Sequence, residues 1–347
     1  MTVLKKAIRI PKPKKDLMHF NNRKLIVGVG SALVDILARE NDAFLEAAGA
    51  AKGGMTYVTP SEIDRLITLT TGKTAVVPGG SACNTAMGVG RLGGQARFVG
   101  KRGKDDLGRV FETDLLTHGV TPELFVSDDP TGRVLSVVTP DAQRTMFTYL
   151  GAAAAMAPEE ISPDCFKDAA IVHVEGYLLF NRALMEAVLR AARAAGAKIS
   201  LDLASFTVVE ESRDHLDLMV AEYIDILIAN EDESLAFTRE KDEAKALEIM
   251  SRDVDIAVLK TGARGSLISG GGEVVAIKAM GEGAPAVDTT GAGDLWASGF
   301  LYGLVSGMDL EQSGALGSCC GFEVCQLVGA KISEDGWVRI RQTIDLK

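Results

Sequence analysis

Basic residues are in the minority in this chain of 347: 37 Lys and Arg stand against 47 Asp and Glu, a net charge of −10. A nucleic-acid binder usually presents a basic face, so that class of partner is disfavoured. Long apolar runs are missing as well. No stretch nears the roughly 18 uninterrupted apolar residues of a membrane span, and no membrane partner is expected. Cysteine is sparse and odd in number, and Cys83, Cys165, Cys319, Cys320 and Cys325 contain no C-x-x-C pair. Neither a zinc site nor a disulfide framework is spelled out, and free thiols suit a reducing cytoplasm. Cys319, Cys320 and Cys325 fall in an apolar helical stretch and read as packing thiols. The four histidines are scattered, with no H-E-x-x-H, and no G-x-S-x-G occurs. Two phosphate-binding patterns begin and fail. Gly72-Lys73-Thr74 looks like the end of a P-loop, but Ile67 stands where its first glycine belongs. Gly28-Val29-Gly30 opens a dinucleotide fingerprint, but Leu33 holds the third glycine position.

What is present is an ordinary globular composition, 47% hydrophobic and 24% charged, enough for a sizeable core. The length allows two or three domains, or one large α/β domain with an appendage. Residues 1–23 read as a loose basic leader. Eight basic residues lie within 1–24, with Pro11 and Pro13 and without the apolar segment of a secretory signal. Strand patterns occupy 24–30, 97–99, 170–174, 198–203, 224–229 and 256–261. Helical patterns occupy 60–69, 84–92, 105–117, 181–195, 212–221, 244–251, 291–306 and 310–327. This alternation predicts an α/β fold with a mainly parallel sheet. A hairpin is expected over 265–277, and short strands at 33–38, 54–58, 134–139 and 144–149 point to a small β appendage.

The most informative segment is Asp288-Thr289-Thr290-Gly291-Ala292-Gly293-Asp294, which opens an apolar helix. First-turn amides lack partners inside a helix, glycine lets an anion approach them, and the helix dipole adds positive potential. The arrangement suits a phosphoryl group gathering charge in a transition state. Asp294 follows on the first turn. It serves there either as acceptor of a proton from an attacking alcohol or simply as an acidic complement to the dipole.

This segment resembles the C-terminal signature of the ribokinase-like, or PfkB-type, carbohydrate and nucleoside kinases. Four further motifs resemble that family in order: Gly79-Gly80-Ser81-Ala82-Cys83-Asn84, the stretch from Val99 to Gly108, Asn230-Glu231-Asp232-Glu233, and the stretch from Leu259 to Gly265. The likeness covers about 24–331. It implies a three-layer α/β/α sandwich with a mainly parallel central sheet, forming a kinase domain over 24–347. A small β lid would come from about 33–58 and 131–150. The implied reaction is phosphoryl transfer from ATP to a hydroxymethyl group. Asp294 would be the base, and Gly291, Ala292 and Gly293 the anion hole. ATP would lie on Asn230, Lys260, Thr261, Gly262, Gly265, Gly291 and Gly293. Asn230 and Glu233, which on their own read as a helix cap with a first-turn acid, would organise Mg²⁺. A monovalent cation such as K⁺ is a further cofactor consistent with the likeness.

Within the family the chain is most similar to the adenosine kinases, through 38–46, 141–153 and 223–240. The acceptor would then be adenosine, phosphorylated at its 5′-hydroxyl in a cytoplasmic purine-salvage role, by a monomer or homodimer. Asp35, Gly79, Gly80, Ser81 and Asn84 would bind the sugar, with Ser31, Arg144 and Asp294. Leu33, Tyr177, Leu178 and Phe206 would form an apolar slot for the base, although each alone reads rather as core packing. The alternative acceptor is ribose or another sugar, because Glu175 stands where sugar kinases of the family use an acid on a sugar hydroxyl. A catalytically silent binding protein is disfavoured, since Asp294 and both anion-hole glycines are retained.

Overall fold

The computed structural model describes residues 18–72, 74–141, 143–281 and 284–345. The expected leader falls outside them over 1–17, as does Lys73. From Met18 onward the chain is packed, not loose. Met18 and Phe20 rest on the core, and the Arg23 guanidinium donates to the carbonyls of Ala169 and Ala195 at 3.2 and 2.9 Å.

The chain enters along β1 (Leu25–Val29) and leaves for a second sheet through β2 (Leu33–Arg39), α1 (Asp42–Ala48), β3 (Met55–Tyr57), α2 (Pro60–Leu69) and β4 (Ala75–Gly79). It returns through α3 (Ser81–Arg91), β5 (Ala96–Gly103), α4 (Asp106–Thr117) and β6 (Val120–Ser127). The hairpin β7 (Gly132–Val138) and β8 (Arg144–Tyr149) is a second excursion. Regular alternation follows: β9 (Ala169–Glu175), α5 (Arg182–Ala194), β10 (Lys198–Asp202), α6 (Phe206–Glu211), α7 (Arg213–Tyr223), β11 (Ile226–Asn230), α8 (Glu231–Thr238), α9 (Glu243–Met250) and β12 (Ile256–Lys260). The chain closes with β13 (Ser266–Gly270), β14 (Glu273–Ile277), α10 (Ala292–Val305), α11 (Leu310–Val324) and α12 (Glu334–Asp345).

Among the described residues the main sheet has nine strands in the order β14-β13-β12-β11-β10-β9-β1-β5-β6. It is parallel from β12 to β6, with β13 and β14 antiparallel at one edge. Its inner strands are apolar on both faces, as a sheet covered by helices on each side requires. Val172, Val174, Leu201 and Leu227 face α5, α7 and α9 through Met185, Leu216 and Leu247. Ile171, Ile226 and Val258 face α3 and α10 through Ala86, Trp296 and Phe300. The fold is the ribokinase-like α/β/α sandwich that the motifs implied.

The second sheet runs β3-β8-β7-β2-β4. One face, with Ile36, Leu135, Val137 and Phe147, is covered by Phe44 and Leu45 of α1 and by Ile63 and Leu66 of α2. The appendage therefore recruits β4 and α2 beyond the segments expected to build it, and holds a helix, α1, within them. Strands β4 and β6 were not foreseen. Each contains a proline, Pro78 and Pro122, and each lies at the edge of its sheet, where a missing amide costs no ladder bond.

Candidate active site

Four parallel strands end side by side, β9 at Glu175, β10 at Asp202, β11 at Asn230 and β12 at Lys260, with Asp202 in register with Glu175 and Lys260 with Asn230. Ligands of open α/β sheets bind outside such carboxyl ends. The first turn of α10 faces them. Gly291 caps this helix at φ 75°, a left-handed backbone that glycine adopts without strain. The Ala292 amide is already taken by the Thr289 carbonyl at 3.1 Å. The amides of Gly293 and Asp294 follow it, and nothing within the helix can accept from them. The first-turn amides without a backbone acceptor are thus those of Gly293 and Asp294, not that of Ala292. A Cβ at Gly293 would lie 3.0 Å from Lys260 Nζ, so glycine is what lets the ammonium come close to this turn. The loop before the helix is shaped by Asp288, the first residue of the motif, whose role no local pattern signals. Its buried carboxylate accepts from Thr290 N and Oγ1 at 2.9 and 2.7 Å and from Gly329 N at 2.8 Å.

Asp294 is gripped from α3. Ser81 Oγ donates to its Oδ1 at 2.7 Å and Asn84 Nδ2 to its Oδ2 at 2.8 Å, while Thr85 Oγ1 donates to its carbonyl at 3.1 Å. Burial raises the Asp294 carboxyl above its ordinary value, and the two side-chain donors oppose that rise. The result is a more basic carboxylate, aimed by fixed donors, as a general base needs. Asn84 Oδ1 is buried with no protein partner, leaving one acceptor for a ligand hydroxyl.

Lys260 Nζ donates to Asp202 Oδ2 at 2.8 Å in a largely buried pair. Burial works against the ammonium, but Asp202 and Glu233 outweigh it, and its pKa is raised. Asp202 is also desolvated, yet Lys260 holds it below the usual carboxylate range. Both partners therefore stay charged. His173, fully buried on β9 with Nδ1 3.1 Å from Ser200 Oγ, is pushed down to about 4 by burial and stays neutral. Asn230 and Glu233 form a closed capping box. Glu233 accepts from Asn230 N and Nδ2 at 2.8 and 2.7 Å, and Asn230 Oδ1 accepts from Glu233 N at 2.9 Å. Burial pushes the Glu233 carboxyl up to about 7. With both its oxygens engaged, this pair fits a Mg²⁺ reached through water and does not fit direct ligation. Among the described residues no group of three or more His, Cys, Asp or Glu is placed to hold a metal ion. Thr261 closes the neighbouring loop, its amide and hydroxyl donating to the Gly265 carbonyl at 2.8 and 3.0 Å around Gly262. A Cβ at Gly265 would lie 1.9 Å from the Ile277 carbonyl oxygen, so Gly265 shapes this loop by packing.

On the lid side, Asp35 of β2 is pushed up to about 6 by burial, with Arg144 of β8 pulling it back and Asp294 adding to the rise. Gly79 backs this carboxylate, since a Cβ there would lie 2.6 Å from Asp35 Oδ2, and Gly80, at φ 102°, passes the Ser31 carbonyl just as closely. Leu33 is half-buried on the same strand, against Gly132. Tyr177 is raised by burial first and then by Glu175, with smaller effects from Arg144 and Asp294, which places its phenol among these groups. Leu178 is core. Phe206, at the start of α6, is half-exposed and lines a groove with Glu210, Arg213, Leu235 and Arg239, and α6 packs against the 176–180 turn that carries Tyr177. Lid residue Tyr57, not foreseen, is half-exposed on β3, and its phenol is raised by burial and then by the carboxylates of Glu175 and Glu211. Its signal was an aromatic residue on an expected short lid strand. Glu175 itself is buried, pushed up to about 7, and accepts from Ser31 N at 2.8 Å and Ala82 N at 3.2 Å.

Comparison with known proteins gives a consistent setting for this geometry. Residues 54–336 match the pfkB family carbohydrate kinase profile. A 5-dehydro-2-deoxygluconokinase of Listeria monocytogenes is 32% identical over 256 residues, 69% of this chain and 78% of the relative; that of Bacillus subtilis is 32% identical over 255. Among solved structures, the adenosine kinase of Sinorhizobium meliloti is 34% identical with a TM-score of 0.84, covering 92% of this chain and 99% of the other. A probable sugar kinase of Rhizobium etli is 34% identical with a TM-score of 0.85, covering 92% and 98%.

Proposed function

The chain belongs to the pfkB family of carbohydrate kinases and is thus an ATP-using phosphotransferase with an alcohol acceptor, and within that class we propose adenosine as the acceptor, phosphorylated on its 5′-hydroxyl to give AMP and ADP. What supports the choice is a pair of phenols, Tyr57 on the lid and Tyr177 beside β9, each raised by burial and then by the charge of Glu175. Flat faces stack on a base, whereas a free sugar offers them no such partner. The likeness to the Sinorhizobium meliloti adenosine kinase supports the same reading.

In this reading Asp35 accepts from the ribose hydroxyls, and Gly79, Gly80, Ser31 and Leu33 shape the pocket around them. Asp294 takes the proton of the 5′-hydroxyl as its oxygen bonds to the γ-phosphorus and the bond to the β-phosphate bridging oxygen breaks. Ser81 and Asn84 keep that carboxylate aimed. The amides of Gly293 and Asp294, with Lys260 beside them, receive the charge on the phosphoryl oxygens. Asn230 and Glu233 would hold Mg²⁺ through water, and the ion would supply charge neutralisation of the ATP phosphates. Thr261, Gly262 and Gly265 form the wall of the nucleotide site.

A second reading has its own support. Arg144 lies close enough to Asp35 to lower its pKa, and a guanidinium there suits the carboxylate of a sugar acid. The Listeria and Bacillus relatives bear the name of a kinase for such an acceptor. The deciding experiment measures ADP release from ATP and Mg²⁺ with adenosine, other nucleosides, ribose, fructose and 5-dehydro-2-deoxygluconate. Adenosine with the highest kcat/KM supports the first reading; 5-dehydro-2-deoxygluconate with the highest replaces it.

A further inference from the structure

Helix α3 supplies both side chains that grip Asp294, yet it has no cap of its own. Its N-cap is Gly80, which carries no side chain to accept from the first-turn amides. The acceptor comes from β9 instead. Glu175, 1% exposed, places Oε2 3.2 Å from the amide of Ala82, inside that first turn, and Oε1 2.8 Å from the amide of Ser31, in the turn that follows β1. Gly80 and Ser31 are themselves in tight contact, since a Cβ at Gly80 would meet the Ser31 carbonyl at 2.4 Å. One carboxylate thus ties the end of β1 to the start of α3, and a carboxylate is the group that a helix N-terminus favours. The space around it is filled. A methyl group at Gly30 would lie 2.1 Å from Glu175 Oε2. With both oxygens spent on backbone amides, Glu175 is committed to the scaffold and not to a sugar hydroxyl.

We propose that Glu175 is a positioning residue for phosphoryl transfer: by clamping the first turn of α3 to the β1 turn it holds Ser81 and Asn84 where they aim Asp294. The inference rests on the reading of Asp294 as the base, but not on which acceptor is used. The effect passes along a short rigid path, from Glu175 to Ala82 N, through one helical turn to Ser81 and Asn84, and on to the two oxygens of Asp294. A displacement of about 1 Å at a reacting group can cost roughly 100-fold in rate. Loss of the clamp is therefore expected to act on kcat.

Glu175→Gln is the direct test. Its amide keeps one acceptor oxygen, while its NH₂ would face an amide donor, so one of the two clamping bonds is lost. Gly30→Ala is the second variant. It leaves the carboxylate in place but pushes it off its amides. Both are expected to lower kcat about 10- to 100-fold with acceptor KM changed less than about threefold. Asn84→Ala and Glu175→Gln combined should lose less than the product of their separate losses, because both break the same path. A rise in acceptor KM at unchanged kcat would make Glu175 a substrate ligand and overturn the proposal. A lower melting temperature with kcat and KM unchanged would leave it purely structural and also overturn it. If the wild-type protein phosphorylates no acceptor in the panel, the functional reading fails by itself. The clamp is then judged from crystal structures of wild type and Glu175→Gln: an Asn84–Asp294 hydrogen bond still at 2.8 Å in the variant overturns it, and a broken one upholds it.

Discussion

Asn84 and Asp294 stand 210 residues apart in the chain and meet in a 2.8 Å hydrogen bond from Nδ2 to Oδ2. The bond joins the first helix after β4 to the glycine-rich helix start, so two motifs distant in the chain meet on one carboxylate. Asp294→Asn should keep acceptor binding and lose turnover. A positioned general base is worth about 10²–10⁴-fold, and the amide cannot take the proton. Single-turnover rates, with acceptor affinity measured by calorimetry, check this; a near-normal rate in a folded variant removes Asp294 from the role.

The Lys260–Asp202 pair separates catalysis from stability. Lys260→Met should lower kcat by about 10²–10³-fold, the usual cost of one donor to a developing oxyanion. It should also destabilise the fold, because breaking a buried pair leaves an uncompensated charge, at about 3–5 kcal/mol. Adding Asp202→Asn removes that stranded charge. The double variant should regain much of the stability and none of the activity. Urea unfolding alongside kcat tests both halves, and recovered activity in the double variant would contradict a role for the Lys260 charge.

Legibility in the sequence followed physical rules. The inner strands were readable because helices cover both faces of the sheet and only apolar runs survive there. Strands β4 and β6 were hidden by Pro78 and Pro122, which argue against a central strand and say little about an edge. Asp294 and its glycines were visible as a local motif. The partners that aim Asp294 were half visible: Ser81 and Asn84 sat in a motif of their own, but nothing local showed that both would reach the same carboxylate. Glu175 could be noticed but not understood, since its role depends on two amides, one of them 144 residues away. Phe206 was visible as an aromatic residue after a strand end, but which groove its ring would line was not, because that depends on the packing of α6 against α8.

The acid limb of activity should follow Asp35. Its carboxyl stands at about 6, raised by burial and lowered by Arg144. As pH falls through that value Asp35 takes up a proton, loses acceptor capacity toward hydroxyls, and acceptor KM should rise. Removing the cation must raise the carboxyl further. In Arg144→Ala the limb should therefore move to higher pH. Profiles of kcat/KM for the acceptor from pH 5 to 8 would show it; a limb that stays in place or moves lower denies the assignment.

Removal of divalent metal should abolish transfer, because little in the protein offsets the phosphate charge apart from Lys260 and one helix start. The capping box makes a finer point. Glu233→Gln should raise the Mg²⁺ concentration needed for half-maximal rate while costing only about 1 kcal/mol of stability, typical of a helix cap. An unchanged Mg²⁺ dependence would leave Glu233 a cap and nothing more.

Selectivity is where the two acceptor readings part. A nucleoside can use both the Asp35 end of the pocket and the phenols of Tyr57 and Tyr177; a sugar or sugar acid can use only the first, with Arg144. Stacking of a base on an aromatic ring is worth about 1–3 kcal/mol, roughly 5- to 150-fold in kcat/KM. Tyr177→Ala and Tyr57→Ala should therefore lower kcat/KM for adenosine within that range and leave ribose nearly unchanged. Asp35→Ala should impair both acceptors. Phe206→Ala tests whether that half-exposed ring also serves the base: it should lower kcat/KM for adenosine more than for ribose. Arg144→Ala should harm 5-dehydro-2-deoxygluconate far more than adenosine if the sugar-acid reading holds. Steady-state kinetics of these variants on the three acceptors give opposite patterns for the two readings, and a Tyr177→Ala enzyme that handles adenosine as well as wild type would end the case for a base-stacking pocket.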